Sequence, residues 1–187
     1  MEAFQKPIDL DLWLDADLIR RHNLLKGQFI AILEEVGNSF DPEDLKTLSQ
    51  NSKGVKISKG NDLLGFPYQV LDLIRDFDQS DGVNIRLLNW IGNGFYLTLL
   101  LGKKRAVDLG SLLESGFSFG LSENQWDYPD LILNSNTTQE KEKITSSELG
   151  FFHWIKSVEV DSDPTILLQN VMAEVKKIIG ILRLPKE

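Results

Sequence analysis

Few residues of this chain have the type and spacing that catalysis or metal binding requires. Its two histidines, His22 and His153, are far apart in sequence and form neither an HExxH nor an HxH motif, so the local signature of a histidine metal site is missing. The chain has no cysteine, which excludes disulfides, thiol nucleophiles and thiolate ligands. We therefore predict no cofactor and no metal. The sequence names no catalytic residue and does not decide whether the protein is an enzyme.

An acidic segment, DFDQSDG at residues 76–82, begins with the acid spacing of a calcium-binding loop. Asp81, however, occupies the sixth position, where such a loop requires glycine. Leu87 occupies the twelfth position, where a bidentate glutamate belongs. Calcium binding is therefore not predicted at this segment.

The turn from Gly60 to Tyr68 is the place where the sequence predicts a small-ligand site. A helix predicted to open at Pro67 would direct free N–H groups toward an anion, with glycines allowing close backbone approach and a lysine neutralising the charge. Basic residues precede the turn at 53–59 and follow the next hairpin at 103–105, and the sequence does not say whether they converge. The predicted ligand-binding residues are Lys56, Lys59, Gly60, Asn61, Asp62 and Tyr68.

A purely structural interpretation of the same turn stays open. Asn61 and Asp62 can cap a turn, the glycines can serve backbone geometry, and the lysines can protect an exposed strand from pairing with another chain.

Aromatic and apolar residues indicate a different class of function, protein interaction. Trp126 and Tyr128 lie in the irregular segment ENQWDYPD and are predicted on a recognition surface, whereas Trp90 and Trp154 are predicted in the core. His153 is interpreted as a packed or partly exposed strand residue rather than a general base.

The final helix offers a second interaction surface. Met172 and Ile179 broaden its apolar face, so we expect it to pack on the sheet and on another chain, as in a homodimer. The alternative is a central helix covered by its own domain.

The charge balance limits the possible partners. A net charge of -8 and a pI near 4.8 argue against binding to nucleic acid or to an anionic membrane. Residues 53–105 nevertheless carry eight Lys/Arg against five Asp/Glu, so a small anionic ligand remains compatible with the sequence. The N-terminal residues lack the basic and apolar regions of a secretory signal, and the apolar runs are too short to span a bilayer; we expect a cytoplasmic protein.

The hydrophobic patterns predict one α+β domain over residues 1–187, with a mostly antiparallel sheet around a central β-hairpin and with helices at both ends. The leading interpretation is a noncatalytic binding or interaction domain; the alternative is an enzyme or sensor for a small anion at the 60–68 turn. The predicted elements are helices over 15–36, 67–77 and 165–184, a short helix from Asp41, strands over 53–58 and 150–160, a hairpin over 84–101, and a polar surface loop near 134–147.

Overall fold

The fold is built on a seven-stranded antiparallel sheet with the strand order β1-β2-β3-β4-β7-β5-β6. The computed structural model describes residues 6–183. The elements are α1 (Leu10–Leu14), α2 (Ala16–Asn38), α3 (Pro42–Lys46), β1 (Lys56–Leu63), β2 (Phe66–Arg75), β3 (Val83–Trp90), β4 (Gly94–Gly102), α4 (Leu109–Glu114), β5 (Ser118–Gly120), α5 (Tyr128–Leu133), β6 (Thr137–Thr138), α6 (Lys141–Thr145), β7 (Phe151–Ser157) and α7 (Pro164–Arg183). This architecture confirms the predicted α+β class.

The central hairpin forms where the sequence predicts it. Strands β3 and β4 pair from Val83 opposite Leu101 to Trp90 opposite Gly94. Gly92 and Gly94 adopt φ values of 93° and 125°, a region that residues with a Cβ rarely enter. The two glycines of the loop therefore permit the tight reversal.

An aspartate caps the N-terminus of each of the two long helices. Asp15 caps α2 by accepting a hydrogen bond from the Leu18 backbone N–H at 2.9 Å. At the start of α7, Asp163 accepts from the Thr165 N–H at 2.8 Å, and Pro164 occupies the first helical position. Leu184, where the last helix was predicted to end, lies outside the described residues.

The helix predicted over 67–77 is wrong, because Phe66–Arg75 forms strand β2 between β1 and β3. Residues 69–74 are all buried, so this strand is covered on both faces. A strand buried on both faces has an almost continuous apolar run, which also contains the three- and four-residue spacings of a helix. Proline lacks a backbone N–H, but Pro67 is tolerated because its carbonyl makes the hydrogen bond here, accepting from the Ile91 N–H.

Two other boundaries differ from the predictions. Strand β1 lies at Lys56–Leu63 rather than 53–58, and the predicted polar loop contains β6 and α6. Within that loop, the Ile144 side chain is 1% exposed and belongs to the main core. The buried Ile144 side chain and the pairing of β6 with β5 attach this otherwise polar segment to the domain.

The two faces of the sheet have different environments. Helices α2 and α7 cover one face, where the side chains of Leu33, Val36, Val171 and Val175 are fully buried. The other face carries a smaller apolar cluster around Trp90 and a group of polar side chains, and α5 packs against it. Within residues 6–183, no helix is long and apolar enough to span a membrane.

Candidate functional site

A buried ion pair lies on the sheet face opposite the long helices. Asp72 on β2 and Arg86 on β3 are register partners, so their side chains project side by side. Arg86 Nε donates to Asp72 Oδ1 at 2.7 Å and Nη2 donates to Oδ2 at 3.1 Å, a two-point contact between side chains that are 13% and 6% exposed. Asn84 Nδ2 adds a third hydrogen bond to Asp72 Oδ1 at 2.9 Å.

Two aromatic residues of the α5 region complete the surroundings of Arg86. The remaining guanidinium nitrogen, Nη1, donates to the Tyr128 hydroxyl at 2.9 Å, and the guanidinium carbon lies 5.0 Å from the centre of the Trp126 ring. Burial alone would lower the pKa of Arg86, but Tyr128 and Asp72 outweigh it and raise the pKa above its ordinary value. Arg86 therefore stays protonated, and its hydrogen bonds to Asp72 and Tyr128 orient its guanidinium group.

His153 on β7 lies beside this group and is 3% exposed. Its ring meets the Tyr128 ring edge to face, with centroids 5.2 Å apart. Neither ring nitrogen has a hydrogen-bond partner within the described residues. Burial, followed by the positive charge of Arg86, lowers the pKa of His153 to about 3, so the ring is neutral at physiological pH.

This polar group has the properties of a structural anchor rather than a reaction centre. Arg86 is engaged at all three of its nitrogens by Asp72 and Tyr128. The desolvation penalty of a buried salt bridge can exceed the free energy of attraction between its two charges. Removal of only one partner is nevertheless strongly destabilising, because it leaves the other charge buried and unpaired. The arrangement therefore ties the Trp126–Tyr128 segment to the sheet. In the described part of the chain, no cluster of three or more His, Asp or Glu side chains is arranged to hold a metal ion.

The predicted ligand turn is the tip and neighbouring part of the β1–β2 hairpin. Gly60 faces Tyr68 across the two strands, and a Cβ at Gly60 would collide with the Tyr68 ring. Asp62 Oδ1 accepts from the Gly65 N–H at 2.8 Å and closes the turn. Lys56, Lys59 and Asn61 are exposed. The glycine and the aspartate thus have structural roles of the kind that the alternative interpretation named.

The mechanism that the sequence suggested for anion binding is absent at this hairpin, because Pro67 lies in a strand and not at a helix N-terminus. The basic residues at 103–105 also lie far from Gly60. Across the sheet, Gly60 is level with Gly94, at the start of β4, because Tyr68 and Trp90 are the register partners between them. Gly102, which precedes the basic residues, lies at the other end of β4, roughly 26 Å along the strand at about 3.3 Å per residue. A ligand role for Lys59 stays a prediction; stabilisation by inorganic phosphate that Lys59→Ala abolishes would test it.

The structure separates the four predicted interface residues. Trp126 is 41% exposed, but Tyr128 is only 7% exposed, so its prediction as a surface residue is wrong: its hydroxyl is needed by Arg86. On α7, Met172 is half-buried and Ile179 is 6% exposed. Ile179 packs in the protein's own core. At this position the apolar face of α7 is therefore covered by its own domain, which was the alternative to a dimer interface.

A larger apolar surface occurs at the N-terminus, where the sequence pattern predicts no site. We define residues 8–25, comprising α1 and the first part of α2, as the N-terminal arm. Nine of the eighteen exposed large apolar side chains in residues 6–183 lie in this arm, which is about a tenth of that length. They are Ile8, Leu10, Leu12, Trp13, Leu14, Leu18, Ile19, Leu24 and Leu25, with exposures from 40% to 80%.

The arm extends beyond the part of α2 that packs on the sheet. Helix α1 contributes no buried residue, and the buried residues of α2 begin at Ile32. Near the base of the arm, Gln69 Nε2 donates to the Lys26 carbonyl at 2.9 Å and attaches α2 to the sheet. The closely spaced apolar residues of LDLWL, at positions 10–14, are the feature of the sequence that marks this segment. That spacing does not show whether the side chains are buried or exposed.

The fold and these surfaces define an α+β protein with a helix-covered antiparallel sheet and an apolar helical arm. No family model, curated protein or solved structure matches this chain.

Proposed function

We propose that this protein is a noncatalytic interaction domain and that its N-terminal arm binds another polypeptide. One observation carries the proposal: nine large apolar side chains are exposed within eighteen consecutive residues. Single exposed apolar residues are ordinary, but a concentrated group at one place is typical of a binding surface.

The arm is not needed for the core, which supports a role in binding. The core cluster consists of side chains from Phe29 onward, and α1 buries none of its residues. The arm contributes little to folding, yet it contains Trp13 and several leucines. Exposure of these apolar side chains to water is unfavourable in free energy. Contact with a partner would remove that cost, at roughly 25 cal/mol per Å² buried. Trp13 is 68% exposed and is the aromatic residue best placed to anchor such a contact.

Photocrosslinking in the cells that make the protein tests this function. A photoreactive phenylalanine analogue replaces Trp13 in the arm, and the matched control carries it at Glu142, an exposed position on α6. We expect a discrete adduct that contains a second polypeptide from position 13 and much less from position 142. Equal yields at the two positions, or no adduct from the arm, would contradict the proposed function.

A further inference from the structure

We propose that the outer edge of strand β1 binds an acidic, extended segment of another polypeptide, which adds to the sheet as an eighth strand. This surface uses residues outside the arm. The inference therefore goes beyond the proposed function and does not depend on it.

Strand β1 lies at the edge of the sheet. It is the first strand in the sheet order and pairs only with β2 among residues 6–183. Strand β1 spans eight residues, whereas the strand at the opposite edge, β6, has only two. A very short edge strand is one of the ways in which proteins avoid pairing with other chains, and β1 lacks that protection.

The hydrogen bonds of the sheet determine the direction of each backbone group in β1. The Pro67 carbonyl on β2 accepts from the Ile91 N–H, so the carbonyl is turned toward β3. Backbone groups alternate in direction along a strand of an antiparallel sheet, so those of Tyr68, the next residue, are turned toward β1. Gly60 is the register partner of Tyr68, and its backbone groups are therefore turned inward, toward β2.

The same alternation turns the backbone groups of Ile57 and Lys59 outward. From Lys56 to Gly60 the register with β2 is regular, with no bulge that would change the alternation. The N–H and carbonyl groups of Ile57 and Lys59 therefore point away from the sheet, and no hydrogen bond from the rest of residues 6–183 reaches them. These two donors and two acceptors are the groups with which an added strand pairs.

The charge of this edge indicates the class of partner. Residues 53–61 contain three lysines and no acidic residue, in a chain with a net charge of -8. Two copies of β1 paired edge to edge would bring together six lysines, three from each copy, without an acid in either segment. Like charges on neighbouring strands are destabilising, whereas opposite charges stabilise the pair. The edge therefore disfavours a second copy and favours an acidic strand.

The register also predicts the spacing of the acids in the partner. Directly paired residues of two strands have their side chains on the same face. In an antiparallel pairing, the residues opposite Lys59 and Lys56 are three positions apart, so acids at positions i and i+3 contact both lysines. The position opposite Ile57 lies between them and favours an apolar side chain, because Ile57 is half-buried and packs against the core.

Hydrogen exchange of the full chain, followed amide by amide by NMR, tests the proposal. The probe is the acetylated and amidated peptide VTETVETV, whose glutamates and central valine have the predicted spacing. In the free protein the Ile57 and Lys59 amides should exchange rapidly, whereas the Ser58 amide, which is turned toward β2, is protected. At about 90% occupancy, exchange at Ile57 and Lys59 should slow about tenfold, because only the free protein exchanges there.

Control peptides separate strand addition from simple attraction between charges. The peptide VTKTVKTV has the same pattern with the opposite charge and should not bind. N-methylation of the third and fifth residues of VTETVETV retains both glutamates but removes the donors to the Lys59 and Ile57 carbonyls. This peptide should give no protection of the two amides.

Two charge reversals test the location. Lys59→Glu should weaken binding of VTETVETV at least about fivefold, because it replaces an opposite-charge contact with a like-charge contact. Lys104→Glu changes the net charge equally at an exposed lysine outside the edge and should retain the wild-type affinity. Circular dichroism verifies that each variant is folded.

Absence of saturable binding at about 1 mM peptide would overturn the proposal. So would equal weakening by Lys59→Glu and Lys104→Glu, or full protection by the N-methylated peptide. Protection of the Ile57 and Lys59 amides in the free protein would also overturn it, because a second copy or another segment of the chain would then already cover the edge.

Discussion

Acidification to about pH 5 is expected to cost the folded protein about 2 kcal/mol through one side chain, His153. Its pKa lies near 3 in the folded protein, against 6.5 for an unperturbed histidine, because the ring is buried and faces Arg86. Between these two pKa values only the unfolded chain binds the proton. The free energy of unfolding therefore falls as the pH decreases through this window, by about 1.4 kcal/mol per pH unit once the pH is well below 6.5.

The assay is urea unfolding at about pH 7.5 and about pH 5, compared between wild type and His153→Gln. The variant should lose about 2 kcal/mol less than wild type over this interval, because glutamine does not titrate. The comparison uses the change with pH, so a constant packing defect in the variant does not affect it.

Two results would refute this reasoning. An equal pH dependence in wild type and His153→Gln would mean that the pKa of His153 in the folded protein is not lowered from its ordinary value. A His153 ring resonance that titrates near pH 6.5 in the native protein would show the same directly. If His153→Gln does not fold, His153→Leu provides the same comparison without a buried amide.

Further changes should affect stability in directions that the contacts determine. Asp72→Ala and Arg86→Ala should each lower the free energy of unfolding by about 3 kcal/mol or more, because each leaves a buried charge without its partner. The double variant Asp72→Ala, Arg86→Ala should cost less than the sum of the two single variants in urea unfolding, and strict additivity would argue against a coupled pair. Gly102→Ala should destabilise by more than about 1 kcal/mol, because its Cβ would collide with the Asp81 backbone. Gly27→Ala in α2, where the new Cβ meets nothing within 4 Å, should instead stabilise by about 0.5–1 kcal/mol; a lower melting temperature would contradict that expectation.

The sequence by itself determined the features that depend on neighbouring residues. The glycines at 92 and 94 specify the hairpin because positive φ is a local requirement. Asp15 and Asp163 specify helix starts because their carboxylates bind backbone N–H groups two or three residues away. The α+β class followed from these elements and from the apolar periods of the first and last helices.

Strand β2 shows why periodicity alone was insufficient. Its buried run satisfies both a helical spacing and a strand covered on two faces, and only pairing with β1 and β3 decides between them. The polar loop was misjudged for a related reason, because the burial of Ile144 depends on a distant core.

The sites were decided by the tertiary structure. Arg86 reaches Asp72 across 14 residues of sequence and Tyr128 across 42, distances at which no spacing rule operates. Strand register brings the first two together, and the packing of α5 brings the third and buries His153 beside it. For the arm, the sequence determined an apolar helix, but its exposure depends on where the sheet ends beneath α2. Hydrophobic character is a property of a residue, whereas the lack of a covering surface is a property of the whole fold.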